Sequence, residues 1–316
     1  MKTAVVLFNL GGPDSLDAVE PFLRNLFSDP AIISLPNPLR WLIAKLISSR
    51  RKTTAQAIYA RIGGKSPLRE LTEAQAHALE NTLGDGYRCF VAMRYWHPFA
   101  GETAKDVAAY APDKIVLLPL YPHYSKTTTG SSFKDWQQVA AEIGLNKPTA
   151  SVRDYPDHPG YITALAAQVR TALQEARPKG PFRLLFSAHG LPKKVIDGGD
   201  PYQAQIERTA AAVIAALGED ASGLDWLVCY QSRVGPLEWI GPPTEAEIKR
   251  AGEEALGLVV LPIAFVSEHS ETLVELDIEY REVAEHHGVP FYIRVPALGT
   301  DAGFIAALAD LVRKAS

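Results

Sequence analysis

The sequence predicts an α/β protein in which right-handed βαβ units form parallel sheets in two lobes, and three observations carry this prediction. The chain has 316 residues, which at roughly 150 residues per domain suggests two domains. Hydrophobic residues make up 47% of it and charged residues 22%, a composition typical of a folded globular protein. Short apolar runs alternate with amphipathic stretches, and several runs are apolar at consecutive positions, which is typical of strands buried on both faces of a parallel sheet.

The elements follow from this alternation. The apolar runs predicted as strands are 4–8, 88–92, 114–119, 184–187, 226–229, 256–263 and 290–295. The predicted helices are 14–27, 66–83, 161–176, 202–217, 244–251, 271–286 and 302–312. The first helix has Asp14 as a candidate cap, and the second begins with Ser66 and Pro67, a cap followed by proline at the first helical position. Repetition of strand, helix and strand predicts right-handed crossovers between parallel strands.

Residues 31–62 interrupt the alternation and read as an amphipathic insertion. An apolar run at 41–47 is followed by the basic residues Arg50, Arg51 and Lys52. One interpretation is a packed helix with a solvated basic end. The other is an apolar lip over a cleft, or a peripheral membrane contact through 31–52 with its basic residues near lipid headgroups.

A break in the pattern at 146–159 places the domain boundary. We expect an N-terminal lobe of residues 1–148 and a C-terminal lobe of residues 149–299. The sequence does not decide whether the last helix, within 300–316, packs on the first lobe.

Charge and cysteine content exclude several classes of protein. The formal net charge is −4, whereas a general nucleic-acid binder needs a basic field. Cys89 and Cys229 are the only cysteines, too few for a disulfide framework, a four-cysteine zinc site or an iron–sulfur cluster. We expect two reduced, buried thiols. The sequence shows neither a signal peptide nor the ~18 apolar residues that a membrane span needs, so we expect a cytoplasmic protein, with peripheral contact at the inner face of the membrane as the alternative.

Functional residues are expected where strands end, because open parallel sheets bind ligands at their carboxyl edge. The segments that follow the strands are rich in His, Tyr, Trp and Arg; they are 9–13, 93–98, 121–132, 187–192, 230–235 and 264–271. This composition predicts a large, partly apolar cleft with a few polar anchors. Gly11 and Gly12 fit a tight turn, because the spacing is not that of a dinucleotide loop and no phosphate-loop lysine is present.

Five glutamates recur at intervals of three and four residues near the end of the chain. They are Glu268, Glu271, Glu275, Glu279 and Glu282. On an α-helix they would occupy a stripe about 80° wide. The stripe is either a solvated acidic face or a ladder of carboxylates that leads cations or protons to a site at the start of the helix.

His189 ends a strand, and the small residues beside it leave room for a ligand. With His269 and Glu271 across the sheet ends, it forms a small set of imidazole and carboxylate groups. Such a set binds a divalent metal loosely and accepts protons. The residues alone therefore predict an α/β enzyme with an aromatic cleft and a His/Glu site, and they leave its substrate open.

Nine segments in order along the chain resemble one family. They are NLGGP at 9–13, RIGGKSP at 61–67, RYWHP at 94–98, LPLYP at 118–122, YSKTTTGSS at 124–132, SAHGLP at 187–192, GDPY at 199–202, QSRVGP at 231–236 and PIAFVSEHSETL at 262–273. The chain resembles the ferrochelatases, which insert ferrous iron into a porphyrin at the end of haem synthesis. The resemblance implies the class II chelatase fold, two Rossmann-like lobes with a porphyrin cleft between them.

The resemblance also implies roles for particular residues. The catalytic histidine of the family corresponds to His189 and its paired carboxylate to Glu271, both treated as metal ligands or proton acceptors beside the iron. Glu275, with Glu279, corresponds to its acidic path, and Glu275 is a further candidate metal ligand. The candidate porphyrin contacts are Leu10, Arg94, Tyr95, Tyr124, Trp239 and Phe265, with Arg94 proposed for a propionate.

The chain departs from other family members at two positions, and these departures bear on the expected cofactor and on the expected porphyrin. Members with an iron–sulfur cluster carry a cysteine where this chain has Lys126, and they have cysteines in a C-terminal extension; here we expect no cluster and no permanently bound cofactor. Members that act on coproporphyrin carry a tyrosine where this chain has Leu10, which favours protoporphyrin IX.

The expected partners are therefore protoporphyrin IX and ferrous iron, with no nucleic acid. A monomer is expected, although the sequence does not determine the oligomeric state. The alternatives are a chelatase for coproporphyrin or another tetrapyrrole with cobalt or nickel, and a tetrapyrrole carrier without catalysis. A nucleotide-binding transferase is disfavoured because the chain lacks a phosphate loop.

Overall fold

The computed structural model describes residues 2–233 and 237–316. Met1 and residues 234–236, the last three of the QSRVGP motif, lie outside the described residues. The chain divides into two compact units, one comprising Met1–Asp154 and Leu308–Ser316 and the other Tyr155–Ala307.

The N-terminal unit is a parallel four-stranded sheet with helices. Its strands are β1 (Thr3–Asn9), β2 (Tyr87–Met93), β3 (Lys114–Pro119) and β4 (Thr149–Ser151), in the order β2-β1-β3-β4. Its helices are α1 (Val19–Ser28), α2 (Leu39–Ala60), α3 (Leu68–Leu83), α4 (Ala100–Tyr110) and α5 (Thr129–Glu142). All seven residues of β1 are buried, as expected for the central strand of a sheet covered on both faces.

The C-terminal unit repeats this arrangement. Its strands are β5 (Phe182–His189), β6 (Asp225–Gln231), β7 (Gly257–Pro262) and β8 (Tyr292–Arg294), all parallel, in the order β6-β5-β7-β8. Its α-helices are α6 (Pro159–Ala176), α7 (Lys193–Asp197), α8 (Tyr202–Leu217), α9 (Thr244–Glu253) and α10 (Tyr280–His286). The last helix of the chain, α11 (Ala302–Ala315), begins in this unit, and its residues from Leu308 onward belong to the N-terminal unit. A π-helix, Glu271–Glu279, leads directly into α10.

Each unit has its own apolar core between sheet and helices. In the N-terminal unit Phe8 of β1 packs edge-on against the rings of Phe133 and Trp136 of α5. In the C-terminal unit Leu185 of β5 and Val260 of β7 belong to one buried cluster with residues of α9 and the π-helix. The predicted α/β class with parallel sheets flanked by helices is confirmed.

Some elements differ from the prediction. The segment 146–159 was predicted as a break in the pattern of strands and helices, but it contains β4. Two of the three residues of β4 are exposed, and the strand has no apolar run that would identify it. Helices α4, α5 and α7 were not predicted. In α4 and α5 the buried face is built largely of Ala, Thr and Ser, and such a face gives little hydrophobic periodicity.

The insertion at 31–62 contains one long helix, α2. Ala44, Ser48 and Tyr59 face inward, and Tyr59 packs in a cluster with Val19 and Phe22 of α1. On the outside, Leu39, Trp41, Leu42 and Leu46 are each about half exposed. Over residues 2–233 and 237–316, no helix has both the length and the apolar character needed to cross a membrane.

Both cysteines are free, Cys229 buried and Cys89 partly so. Burial raises the pKa of the Cys229 thiol to about 12 and also raises that of Cys89. Both thiols therefore stay protonated near neutral pH and are poor nucleophiles.

Candidate active site

The site forms at the carboxyl edge of the second sheet, where the strand order changes direction. The chain leaves β5 toward β6 on one side, while β7 lies on the other side of β5. Crevices at such switch points are where open α/β sheets bind ligands. His189 is the last residue of β5, and Glu271 begins the π-helix that follows β7.

His189 and Glu271 are in direct contact. The Nδ1 atom of His189 lies 2.8 Å from Oε2 of Glu271. Their side chains are 36% and 24% exposed, so the pair is shielded but reachable by a ligand. Burial by itself lowers the pKa of His189, but the carboxylates of Glu271 and Glu275 outweigh it, and the net pKa is raised. Burial favours the neutral form of Glu271, but His189 overcomes it and holds the pKa of Glu271 below its ordinary value.

A serine links this pair to a second carboxylate. The hydroxyl of Ser232, directly after β6, contacts Oε2 of Glu271 at 3.1 Å and is also hydrogen-bonded to Oε2 of Glu275. The backbone N–H of Ser232 donates to Oε1 of Glu275 at 2.8 Å, and the hydroxyl of Tyr280 donates to the same oxygen at 3.1 Å. Burial, together with the negative charge of Glu271, raises the pKa of Glu275. Glu275 therefore holds a proton more readily than Glu271.

Aromatic side chains contact residues that neighbour the pair. The ring of Phe265 meets that of His269 at a centroid distance of 4.3 Å, and Nε2 of His269 lies 4.0 Å from Oε1 of Glu271. Burial lowers the pKa of His269, which favours the neutral form of its ring. A side chain at Gly190 would come within 3.3 Å of the Trp239 ring, so this glycine lets Trp239 lie close to the end of β5.

The structure corrects the predicted five-glutamate stripe. Glu268 lies before the helix and pairs with Arg294 at 2.8 Å, so it is not part of a ladder. The helix that follows is a π-helix over Glu271–Glu279, whose wider turn changes which side chains share a face. Glu271 and Glu275 come together through Ser232, and Glu282 is exposed on α10.

The arrangement combines a proton-accepting imidazole with two carboxylates of different proton affinity. It can attract a divalent cation and remove protons from a bound molecule. Within residues 2–233 and 237–316, no three His, Cys, Asp or Glu side chains are arranged to hold a metal ion.

Comparison with known proteins decides the family. A family model described as ferrochelatase matches residues 2–316. A ferrochelatase from Phenylobacterium zucineum is 57% identical over 98% of this chain and 90% of its own length. The chain belongs to the ferrochelatase family. As a ferrochelatase it is an enzyme, a lyase of the chelatase class.

Solved structures agree on the fold. SirB from Bacillus subtilis with Fe³⁺ superimposes with a TM-score of 0.57 at 12% identity, covering 100% of this chain and 96% of its own. The sirohydrochlorin chelatase SirB from Bacillus subtilis subspecies spizizenii, in complex with cobalt, gives a TM-score of 0.54 at 11% identity, with coverage of 100% and 95%. At these identities the likeness shows the class II chelatase fold that the family resemblance implied.

In the N-terminal unit of this ferrochelatase, two predicted porphyrin contacts belong to a buried polar network. The guanidinium of Arg94 lies 2.9 Å from Oδ2 of Asp29 and 3.6 Å from Asp135. The Tyr95 side chain is buried, and its hydroxyl donates to Asp29 at 2.9 Å. Ser131 completes the network through hydrogen bonds with Asp29 and Arg94. The structure places Arg94 and Tyr95 in this network. Because two carboxylates already pair with Arg94, its contact with a porphyrin propionate stays a prediction.

The other two predicted contacts of that unit are partly accessible. Leu10 packs beside the cluster of α1, Tyr59 and Tyr95. The Tyr124 ring lies 4.2 Å from the guanidinium carbon of Arg153, a cation–π contact.

Sequence reasoning missed Ser232 and Arg294, which support the His189/Glu271 site, and Asp29, which holds Arg94 and Tyr95 in their network. Ser232 follows β6 within the QSRVGP motif, so the strand-end rule is the signal that could have identified it. Asp29 and Arg294 gave no signal, because each acts through partners far away in the sequence.

Arg294 fixes the π-helix and the loop before it. Its guanidinium contacts both carboxylate oxygens of Asp277 at 2.7 Å and Glu268 at 2.8 Å. Glu268 in turn accepts the backbone N–H of Ala297 at 2.9 Å. One side chain at the end of β8 therefore ties together the two segments on either side of Glu271.

Replacing Arg294 with leucine is expected to lower the free energy of unfolding by about 3 kcal/mol, because two largely buried carboxylates lose their closest cationic partner. Urea-induced unfolding measures this change. The control is Arg208→Leu in the same unit, where Arg208 pairs with Asp157 at 2.8 Å but both side chains are more than half exposed; there we expect a loss below about 1 kcal/mol. Equal losses in the two variants would contradict the assigned role of Arg294.

Proposed function

We propose that this ferrochelatase inserts Fe²⁺ into protoporphyrin IX, giving protohaem and two protons, as the last step of haem biosynthesis. The observation that carries the proposal is the contact between His189 and Glu271 at 2.8 Å, in a chain that matches the ferrochelatase family from end to end. Fe²⁺ is a substrate in this reaction and not a resident cofactor.

Each pyrrole N–H proton must leave as the metal enters the ring. His189 accepts a pyrrole proton, because its imidazole changes charge near neutral pH. Glu271 orients that imidazole and balances its positive charge once it is protonated. The raised pKa of Glu275 suits it to receive protons passed on from Glu271. His189, Glu271 and Glu275 are the proposed ligands of the entering Fe²⁺, and their side chains must rearrange for all three to bind one ion, since no three such groups in the described residues are already arranged to do so.

Aromatic and aliphatic side chains bind the porphyrin macrocycle. We assign this role to Trp239, Phe265, Leu10 and Tyr124, which the family resemblance implies as porphyrin contacts. Bending the macrocycle tilts a pyrrole lone pair out of plane, and the energy for bending comes from binding the rest of the substrate. Arg94 and Tyr95 remain proposed porphyrin contacts, Arg94 for a propionate, and their contacts with Asp29 hold both side chains in place.

The porphyrin proposed is protoporphyrin IX, supported by Leu10, an apolar residue in an apolar cluster. We also propose that the enzyme works without an iron–sulfur cluster. Iron–sulfur clusters of the ferredoxin type are held by four Cys thiolates, whereas the sequence has two cysteines and carries Lys126 where cluster-bearing members of the family have a cysteine.

An anaerobic assay with Fe²⁺ and protoporphyrin IX tests the function directly. The visible spectrum of the free porphyrin should convert to that of the ferrous porphyrin over many turnovers. Parallel reactions with coproporphyrin, and with Co²⁺ or Ni²⁺, test the choice of porphyrin and metal. Binding of one equivalent without metallated product would identify a carrier and refute the proposal, and faster turnover of coproporphyrin would refute the assignment based on Leu10.

The exposed side of α2 supports a peripheral membrane contact through residues 31–52. Leu39, Leu42 and Leu46 recur at helical spacing and are each about half exposed, and Lys45, Arg50 and other basic residues lie along the same helix. Apolar residues beside basic ones bind anionic lipid surfaces. We propose that the protein is cytoplasmic and attaches to the inner face of the membrane through this helix. We also propose that it is a monomer, and its molecular mass in solution tests this.

Vesicle binding tests the membrane contact. The double variant Leu42→Glu/Leu46→Glu should bind vesicles containing phosphatidylglycerol at least about tenfold more weakly than the wild type, because two leucines no longer enter the lipid. Co-sedimentation measures binding. Ile143→Glu, at another exposed apolar residue, is the control and should bind like the wild type. If the wild-type protein does not bind these vesicles, the proposed membrane contact is refuted.

A further inference from the structure

Ser232 has a backbone conformation that its residue type disfavours. Its φ angle is +60°, in the left-handed region where glycine is the usual residue because it lacks a Cβ atom. Residues held in such conformations cluster at functional sites, where surrounding contacts fix them. The residue follows the last position of β6, at the same sheet edge as His189.

This conformation aims both hydrogen-bonding groups of Ser232 at the π-helix. The backbone N–H donates to Glu275 at 2.8 Å. The side-chain hydroxyl contacts Glu275 and also Glu271, the latter at 3.1 Å. A single residue therefore engages both carboxylates, which lie four positions apart on the helix.

The contact with Glu271 falls on a particular atom. Oε2 of Glu271 is the oxygen that Ser232 contacts, and it is also the oxygen that lies 2.8 Å from Nδ1 of His189. Restricting this oxygen from one side fixes the rotamer of Glu271, and with it the orientation of the imidazole on the other side. Groups that orient ligands and proton acceptors in this way set metal affinity and turnover without touching the substrate.

We infer that Ser232 is a positioning residue that holds Glu271 and Glu275 as one preorganised pair beside His189, and that its hydroxyl is the group that does so. The inference rests on the proposed function, since it assigns Ser232 a role in the same site. A glycine would fit the backbone better, so the contacts of the hydroxyl account for the serine.

The variant Ser232→Gly separates the hydroxyl from the backbone. It keeps the N–H that donates to Glu275 and suits the positive φ, so the thermal midpoint should not fall. Loss of the hydroxyl should nevertheless lower kcat for iron insertion about 10- to 100-fold, with the KM for protoporphyrin IX unchanged. Affinity for Fe²⁺ alone, measured anaerobically by calorimetry, should fall by a similar factor.

Ser232→Thr supplies the opposite combination. It keeps a hydroxyl but places a β-branched side chain at a positive φ, so its thermal midpoint should fall while the folded enzyme recovers most of the wild-type kcat. Ala255→Gly is the control, because Ala255 also has a positive φ of 54° and is exposed in the same unit. It should change neither kcat nor Fe²⁺ affinity.

The outcomes separate this inference from the proposed function. A Ser232→Gly enzyme with wild-type kcat and Fe²⁺ affinity overturns the role of Ser232 while the function stands. A wild-type enzyme that inserts no iron overturns the function, and Ser232 is then judged by Fe²⁺ affinity alone, where equal binding by the wild type and Ser232→Gly overturns the inference as well.

Discussion

Replacing His189 with alanine is expected to lower kcat for iron insertion by about 10²- to 10⁴-fold, the range in which a positioned proton acceptor contributes. The variant loses the imidazole that contacts Glu271 at 2.8 Å, while Trp239 and Phe265 stay in place. Affinity for protoporphyrin IX, followed by fluorescence, should therefore remain close to that of the wild type. Anaerobic turnover measured alongside this affinity distinguishes lost chemistry from lost binding.

A second histidine–glutamate pair provides the control. His97 in the N-terminal unit also lies 2.8 Å from a glutamate, Glu102, and both side chains are about half exposed. His97→Ala should leave kcat within a factor of about two, because an exposed pair of this kind contributes little energy. A His189→Ala enzyme as fast as the wild type would remove His189 from the reaction.

The sheets were predictable because their strands are buried on both faces. A continuous apolar run such as β1 or β7, short and followed by a turn, is typical of a central strand in a parallel sheet. Helices α4 and α5 were not predictable by the same rule, since small residues on their buried faces give weak periodicity. The edge strand β4 is short and largely exposed, so no apolar run reveals it.

His189 and Glu271 could be found in the sequence because topology alone brings them together. His189 ends β5 and Glu271 begins the helix that follows β7, and neighbouring parallel strands end at the same edge of the sheet. The prediction of a five-glutamate stripe was wrong at Glu268. Residue spacing assumes a regular α-helix, and it does not reveal the salt bridge between Glu268 and Arg294, which lies 26 positions further along the chain. The π-helix itself depends on tertiary contacts that spacing does not record.

Replacing Glu271 with glutamine is expected to lower the plateau of kcat/KM by about 10- to 100-fold and to move its acidic limb to lower pH. Glu271 and Glu275 raise the pKa of His189 against the effect of burial. A proton acceptor must start neutral, so the wild type loses activity as pH falls through this raised pKa. Removing the nearer carboxylate lowers the pKa of His189, and the limb follows it. Turnover measured from pH 5 to pH 9 tests both parts.

The same pair predicts how stability changes with pH. His189, with its raised pKa, stabilises the fold fully below its ordinary value of 6.5, and this contribution is lost as pH rises through the folded pKa. Glu271, with its lowered pKa, stabilises the fold above its ordinary value of 4.5, and this contribution is lost as pH falls through the folded pKa. Glu271→Gln should therefore cost most stability between pH 4.5 and 6.5.

The control for the pH profile of kcat/KM is Glu102→Gln, in the exposed pair, which should leave the acidic limb of that profile unmoved. An acidic limb that also stays in place in Glu271→Gln would show that Glu271 does not control the proton on His189.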